Sequence, residues 1–233
     1  MDDSSPVAFN FWPSFADMML AIVFVLVLVL FVVTVVMTAG TTDLSRVQQS
    51  QETIIASIAR AYDAEIKKDT TKTDTYSLSI SGSGTPDIVI YNQPTTQRLT
   101  FSSNILFPKG IHQLNANGRS VIKTVGNVLK KELPSILRIQ IEGHADIEPT
   151  TNYPSNTHLA ALRAIAVFDF LQDSVAIDPV TNLMSIASFG EFKPVDRSED
   201  DAAYDWRKLD EANSTPTLQD RNRRIELLLF YRY

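Results

Sequence analysis

The chain contains no cysteine, so disulfides and thiolate chemistry are excluded. That absence fits an oxidising or a reducing compartment equally. No Lys or Arg precedes Arg46, so the N-terminus "MDDSS" has no basic region of the kind that opens a signal peptide. The three histidines, His112, His144 and His158, never stand four residues apart on a helix, and no set with metal-ligand spacing is present. No Ser–His–Asp set, phosphate-binding loop or CxxC pair can be assembled, so no enzymatic site and no cofactor are expected. The formal net charge of −6, without a basic stripe, argues against nucleic acid as a partner.

What is present in excess is hydrocarbon. From Met18 to Met37 every residue except Thr34 is apolar. About 20 residues at 1.5 Å rise span a bilayer, so one retained transmembrane helix is expected. Phe11 and Trp12 stand where aromatic interface anchors belong, and Pro13 suits a first helical turn. Asp17 sits at the edge of this run, in a segment already apolar from Val7 apart from Asn10 and Ser14. A charged group at a span's centre costs about 2.5–3.5 kcal/mol on insertion scales, so Asp17 needs a compensating partner or a task. The structural alternative is satisfaction by backbone N–H groups near the helix N-terminus. Thr34 is expected to bond a carbonyl of its own helix.

Residues 41–69 carry Leu44, Val47, Ile54, Ile58 and Ala61 at helical spacing, with Gln51 as a polar intruder. This is an amphipathic helix, either pairing as a short parallel coiled coil or packing on its own domain. After "TTKTDT" come β-rich runs at 76–81, 87–92 and 98–103. Helical periodicity follows at 114–133 through Leu114, Val121, Ile122, Val125, Val128 and Leu129. Strands are expected at 136–143 and 183–190. A helix is expected at 156–173, with its apolar face at Leu159, Leu162, Ile165, Ala166 and Phe170. The polar, acidic 191–216 reads as a long loop or insertion, and 217–224 as a short helix leading into a last strand at 225–232. The fold class is α+β. The boundaries expected are an N-terminal tail at 1–12, a membrane span at 13–40, a linker helix at 41–70 and a folded domain at 71–233.

Three ordered motifs carry a family resemblance: "IEGHAD" (141–146), Asn156-x-x-Leu159-x-x-x-Arg163-Ala164, and "NRRIEL" (222–227). Together, over roughly 99–232, they resemble the OmpA-like peptidoglycan-binding domain. That resemblance implies a βαβαβ core, periplasmic placement and binding of the diaminopimelate-bearing peptide stem through Asp146, Asn156, Arg163 and Arg223. The residue types suit the ligand: Asp146 can pair an ammonium, and an Arg can fork a carboxylate. The plain alternative is an Asp146–Arg163 surface salt bridge, worth about 0–1 kcal/mol. Two departures stand out. Ala145 replaces the family's usual Thr, and the connection "IEPTTNYPS" (147–155) is longer than usual. His144 is expected to pack or cap, and the acidic "DRSEDD" (196–201) to be solvated, since it lacks the glycine and oxygen spacing of a calcium loop.

With that domain downstream, Trp12, Phe15, Ala16 and Asp17 resemble the membrane motif of MotB-like stator subunits. The resemblance implies an inner-membrane, single-pass chain with a cytoplasmic N-terminus. It also implies a homodimer threading a ring of five MotA-like or ZorA-like subunits, with Asp17 as the ion-carrying residue. The short chain and the aliphatic span favour the branch of the Zorya anti-phage defence motor, the B subunit ZorB. A flagellar or gliding stator is the alternative within the class. A passive membrane-to-wall tether is the alternative outside it. Protons are the expected ion, because one carboxylate and one hydroxyl make a sparse sodium site.

Overall fold

The computed structural model describes residues 11–71, 74–80, 87–198 and 200–232, and side chains at 39–42 are outside the description. The tail at 1–10 and part of the strand expected at 76–81 therefore lie outside it. The chain divides into two compact units, Met1–Ser45 and Arg46–Tyr233. Helix α1 (Trp12–Ala61) contributes residues to both.

In the first unit, every helical residue from Trp12 to Thr38 is exposed, including the large apolar ones. Apolar surface on all sides is what a helix carries when lipid is its solvent. Thr34 Oγ1 donates to Leu30 O at 2.7 Å and Thr38 Oγ1 to Thr34 O at 2.8 Å, so these hydroxyls are satisfied within the helix as expected.

The second unit is a seven-stranded sheet among the described residues. In chain order its elements are β1 (Lys67–Lys68), β2 (Thr75–Leu78), β3 (Ile88–Asn92), β4 (Thr96–Ser102), α2 (Ser103–Leu106), α3 (Ala116–Glu132), β5 (Ile136–His144), α4 (Asn156–Asp173), β6 (Leu183–Gly190), α5 (Trp206–Glu211), α6 (Pro216–Asn222) and β7 (Arg224–Tyr231). The sheet order is β1-β2-β3-β4-β7-β5-β6. β5 and β6 are parallel, joined by α4, while β7 runs antiparallel between β4 and β5. The β4–α3–β5–α4–β6 succession is the expected βαβαβ core.

Alternation sorts the two faces of the sheet. Ile139 and Ile141 on β5, Ile225, Leu227 and Leu229 on β7, and Leu99 and Phe101 on β4 are buried in one core with Val121, Ile122, Val125 and Leu129 of α3. Each such side chain contributes about 1.5–3 kcal/mol by burial. Asn115 caps α3, its side chain accepting from Gly118 N. Polar Gln140, Glu142 and His144 take the opposite face of β5.

The apolar stripe of 44–61 packs on its own domain. Val47, Ile54 and Ile58 are buried in the same core, whereas Leu44 and Ala61 at the ends are exposed. Gln51, apparently misplaced in that stripe, donates from Nε2 to Gln93 O (2.8 Å) and Thr96 O (3.1 Å) of the β3–β4 turn. Gln97 Nε2 donates back to Gln51 O at 3.1 Å. The pairing reading of this stripe gives way to docking, because those carbonyls and the core need the same face.

Two further expectations change. The buried face of α4 is Asn156, Leu159, Ala160, Arg163, Ala164, Val167 and Leu171, while Ile165 is exposed and Leu162, Ala166 and Phe170 are partly buried. An apolar count pulled the expected face towards Ile165, but α4 must cross β5 at Gly143, where a Cβ would lie 2.1 Å from Ala160 O. Small residues therefore face the sheet. The 191–216 stretch also contains structure, namely α5, capped by Asp205, whose side chain accepts from Lys208 N.

Candidate functional site

The C-terminal end of β5, the first turns of α4 and the α6–β7 junction meet at one place. Asp146 lies just beyond β5 and is 5% exposed. Asn156, the first residue of α4, donates Nδ2 to Asp146 O at 3.1 Å. Ser155 caps α4 by accepting from His158 N, which fixes the helix start beside the loop. Arg223, between α6 and β7, donates from Nη1 to Asp146 Oδ2 and from Nη2 to Asp220 Oδ1. The sequence-derived site residues Asp146, Asn156 and Arg223 are thus in direct contact.

Arg163 comes to the same place differently. It is 4% exposed, donates Nε to Ile111 O at 3.0 Å and lies 5.2 Å from the centre of the Phe107 ring. Its Nη groups make no hydrogen bond among the described residues. No Asp146–Arg163 salt bridge forms among them, because Asp146 is engaged by Arg223. Burial pulls the Arg163 pKa down to about 10, with Arg223 lowering it further and Tyr153 and Asp146 opposing, so it remains a cation at neutral pH. Burial raises the Asp146 pKa and outweighs the opposing pull of Arg223. The pocket therefore holds one buried carboxylate and two guanidinium groups, one of them with an open fork. It can accept a planar anion at Arg163 and a small cation at Asp146.

Ala145, where a hydroxyl-bearing residue is usual in the motif, is buried and spends its N–H on Gly190 O at 2.8 Å. Asp17, the remaining site residue, is exposed on α1 and makes no hydrogen bond or ion pair among the described residues.

A second cluster, beside the first, escaped sequence reasoning. Glu142, His144 and Glu226 are buried on the sheet face opposite the core. His144 stacks on Phe189 with centroids 5.2 Å apart, and its Nε2 lies 3.6 Å from Glu142 Oε2 and 3.7 Å from Glu226 Oε2. These are ion-pair distances, too long for hydrogen bonds. Three such donor atoms could hold a metal ion by number and proximity. Their charge is already met, however. Arg224 Nε lies 2.6 Å from Glu226 Oε1, Arg98 Nε 3.3 Å from Glu226 Oε2, and Lys193 Nζ 3.7 Å from Glu142 Oε2. Three cations around two carboxylates disfavour a further dication. Burial lowers the His144 pKa, and Arg224 adds to this against the opposing pull of both glutamates. The strand spacing of Glu142 and His144, two residues apart, was the available signal for one shared face.

The acidic "DRSEDD" run is tied down by basic partners, with Asp201 paired to Lys208 (2.9 Å) and Asp196 to Arg221 (3.2 Å).

Residues 106–205 match the OmpA family. Among solved structures, the periplasmic domain of MotB (residues 64–256) is 21% identical, with 72% of this chain and 79% of that chain covered and a TM-score of 0.55. The periplasmic domain of Helicobacter pylori MotB (residues 90–256) is 21% identical over 70% and 90% of the two chains, with a TM-score of 0.53. A protein described as MotB-like from Desulfovibrio vulgaris is 22% identical over 62% and 82%, with a TM-score of 0.51. No curated protein sequence matches. Residues 106–205 are thus similar to the OmpA family, the folded unit has the fold of MotB periplasmic domains, and among the described residues one apolar helix, α1, is long enough to span a membrane.

Proposed function

We propose that this chain is a B-type stator subunit of an inner-membrane rotary motor, anchored to peptidoglycan and driven by protons at Asp17, and that it serves a Zorya-type anti-phage system. The N-terminus is cytoplasmic and the OmpA-like domain periplasmic. The chain works as a homodimer within a ring of five MotA-like or ZorA-like subunits.

The observation that carries the anchoring is Arg163. A guanidinium with 4% exposure and an unanswered fork, next to the buried carboxylate of Asp146, which Arg223 engages at Oδ2, is complementary to a carboxylate with a neighbouring ammonium. The free end of diaminopimelate in the peptide stem presents both groups. The resemblance of the three motifs and the OmpA family match support that ligand.

Asp17 supports the motor. It is the only ionisable residue between Asp3 and Asp43, and no basic residue in the span is available to it. A carboxyl group sealed from water favours its neutral form and a wetted one its charged form. Alternation between those states loads a proton on one side and releases it on the other. Each charge crossing is worth about 2.3 kcal/mol per 100 mV. The compact build favours the Zorya branch: only residues 38–45 separate the apolar run from the first residue of the folded unit.

The test uses the full chain with its membrane partner. Purified sacculi should retain the wild type and lose Arg163→Ala. Asp17→Asn should assemble and bind the wall normally while phage protection disappears. Full protection by an assembled Asp17→Asn variant would leave a passive tether as the reading.

A further inference from the structure

The structure lays the connection between Asp146 and Asn156 alongside residues 108–113. Lys109 Nζ lies 3.9 Å from Glu148 Oε2, Asn152 Nδ2 donates to Gly110 O at 3.5 Å, and His112 Nδ1 lies 2.8 Å from Tyr153 Oη. The His112 ring meets Tyr153 edge-on at 5.6 Å, and the His158 ring lies near-parallel to Tyr153 at 6.5 Å. Two histidines from different elements thus hold one tyrosine. Ile111, next to His112, is the residue whose carbonyl takes Arg163 Nε. One dipeptide therefore positions the open guanidinium through its backbone and Tyr153 through its side chain.

The direction of the hydrogen bonds follows from counting donors. Gln113 Nε2, a donor, lies 3.1 Å from His112 Nε2, which must accept. With Nε2 accepting, Nδ1 is the ring nitrogen that donates to Tyr153 Oη. That oxygen is used as an acceptor, so the tyrosine's own proton is left for another group. No acceptor for it exists among the described residues. Adjacent residues thus hold a half-buried hydroxyl with an unanswered proton and a guanidinium with an unanswered fork, two donors that one anion could take.

We infer that Tyr153 is a specificity-determining residue of this pocket, its hydroxyl donating to the same ligand carboxylate that the Arg163 fork takes. The inference rests on the reading of the pocket as a peptide-stem site and names what the 147–155 loop adds to it. The ligand selected is a side-chain end bearing both ammonium and carboxylate, as in diaminopimelate. An end bearing ammonium alone, as in a lysine-type stem, satisfies Asp146 and leaves Tyr153 and Arg163 unpaired, and a site with unpaired buried donors rejects such an analogue.

The experiment is co-sedimentation of the detergent-solubilised full chain with purified sacculi of the diaminopimelate type and of the lysine type. The variants are Tyr153→Phe, His112→Leu and the double variant, with free diaminopimelate as competitor. Tyr153→Phe should weaken binding to diaminopimelate-type wall about tenfold and leave lysine-type binding unchanged, so discrimination shrinks by the same factor. His112→Leu should lose part of that, and should add nothing on top of Tyr153→Phe, because it acts through the tyrosine. Wild-type affinity and discrimination in Tyr153→Phe would overturn the inference. So would equal losses on both walls, which would mark a purely structural role. A wild type that binds neither wall would overturn the pocket's reading itself, and that result is visible before any variant is made.

Discussion

The carboxylate of Asp146 is held by Arg223, on the strand-entry side, and not by Arg163, seven residues into the α4 crossover. Two arginines of one pocket thereby have different tasks. Arg223 compensates a buried acid within the fold, and Arg163 keeps an open guanidinium fork.

The two arginines should separate on mutation. Arg163→Ala should abolish retention on sacculi, with at least a tenfold loss of affinity, because a charge-assisted fork is removed. Arg223→Ala should lower stability by about 3 kcal/mol, because Asp146 is left as a buried, uncompensated charge. Thermal unfolding and sacculus binding, measured side by side, check this. The reverse pattern would reassign the two roles.

On the proposed stator reading, Asp17→Glu should retain part of the output, since the titrating group survives at a slightly different reach. Phage protection measured beside complex assembly reads the result. Output that follows external sodium at constant proton-motive force would replace the proton by sodium as the driving ion.

Acid should weaken the domain through Glu142. Burial alone would raise this pKa from 4.5, but the neighbouring His144 and the charge of Lys193 bring it down to about 2. A carboxyl depressed in the folded state contributes stability that is fully present above its unfolded pKa and is lost as pH falls through the folded one. The loss should therefore run from about pH 4.5 down to about pH 2, and amount to on the order of 3 kcal/mol. Lys193→Met should shrink that acid-dependent part while leaving the core intact. Melting temperatures of both proteins across this pH range test the assignment.

Ile54→Ala should destabilise the folded unit by about 2–5 kcal/mol, because this side chain is fully buried in the domain's own core. Gln51→Leu should cost about 1–3 kcal/mol, because Gln93 O loses its side-chain donor and Thr96 O keeps only the Gln93 N–H. Both should show in melting temperature without a change in oligomeric state. A changed oligomer at unchanged melting temperature would return residues 44–61 to a pairing helix.

The sequence by itself determined the local elements and their order. The apolar run at 18–37, the strand alternation at 136–143 and the helical periods of 114–133 and 156–173 each follow from residue spacing against a single period, which needs no knowledge of neighbours. The residues Asp146, Asn156, Arg163 and Arg223 came instead from the resemblance of three ordered motifs to the OmpA-like domain, not from any period in the sequence. Tertiary structure alone decided which face each helix buries and which charge meets which. Gly143 admits the backbone of Ala160, and that crossing turns α4 so that Arg163 is inside and Ile165 outside. Gln51 reads as a flaw in an apolar stripe until the β3–β4 turn supplies the carbonyls it serves. The pairings of Asp146 with Arg223, Glu142 with Lys193 and Tyr153 with His112 join residues 77, 51 and 41 positions apart. Coulomb energy and hydrogen bonding depend on distance in space, and only the closed sheet sets those distances.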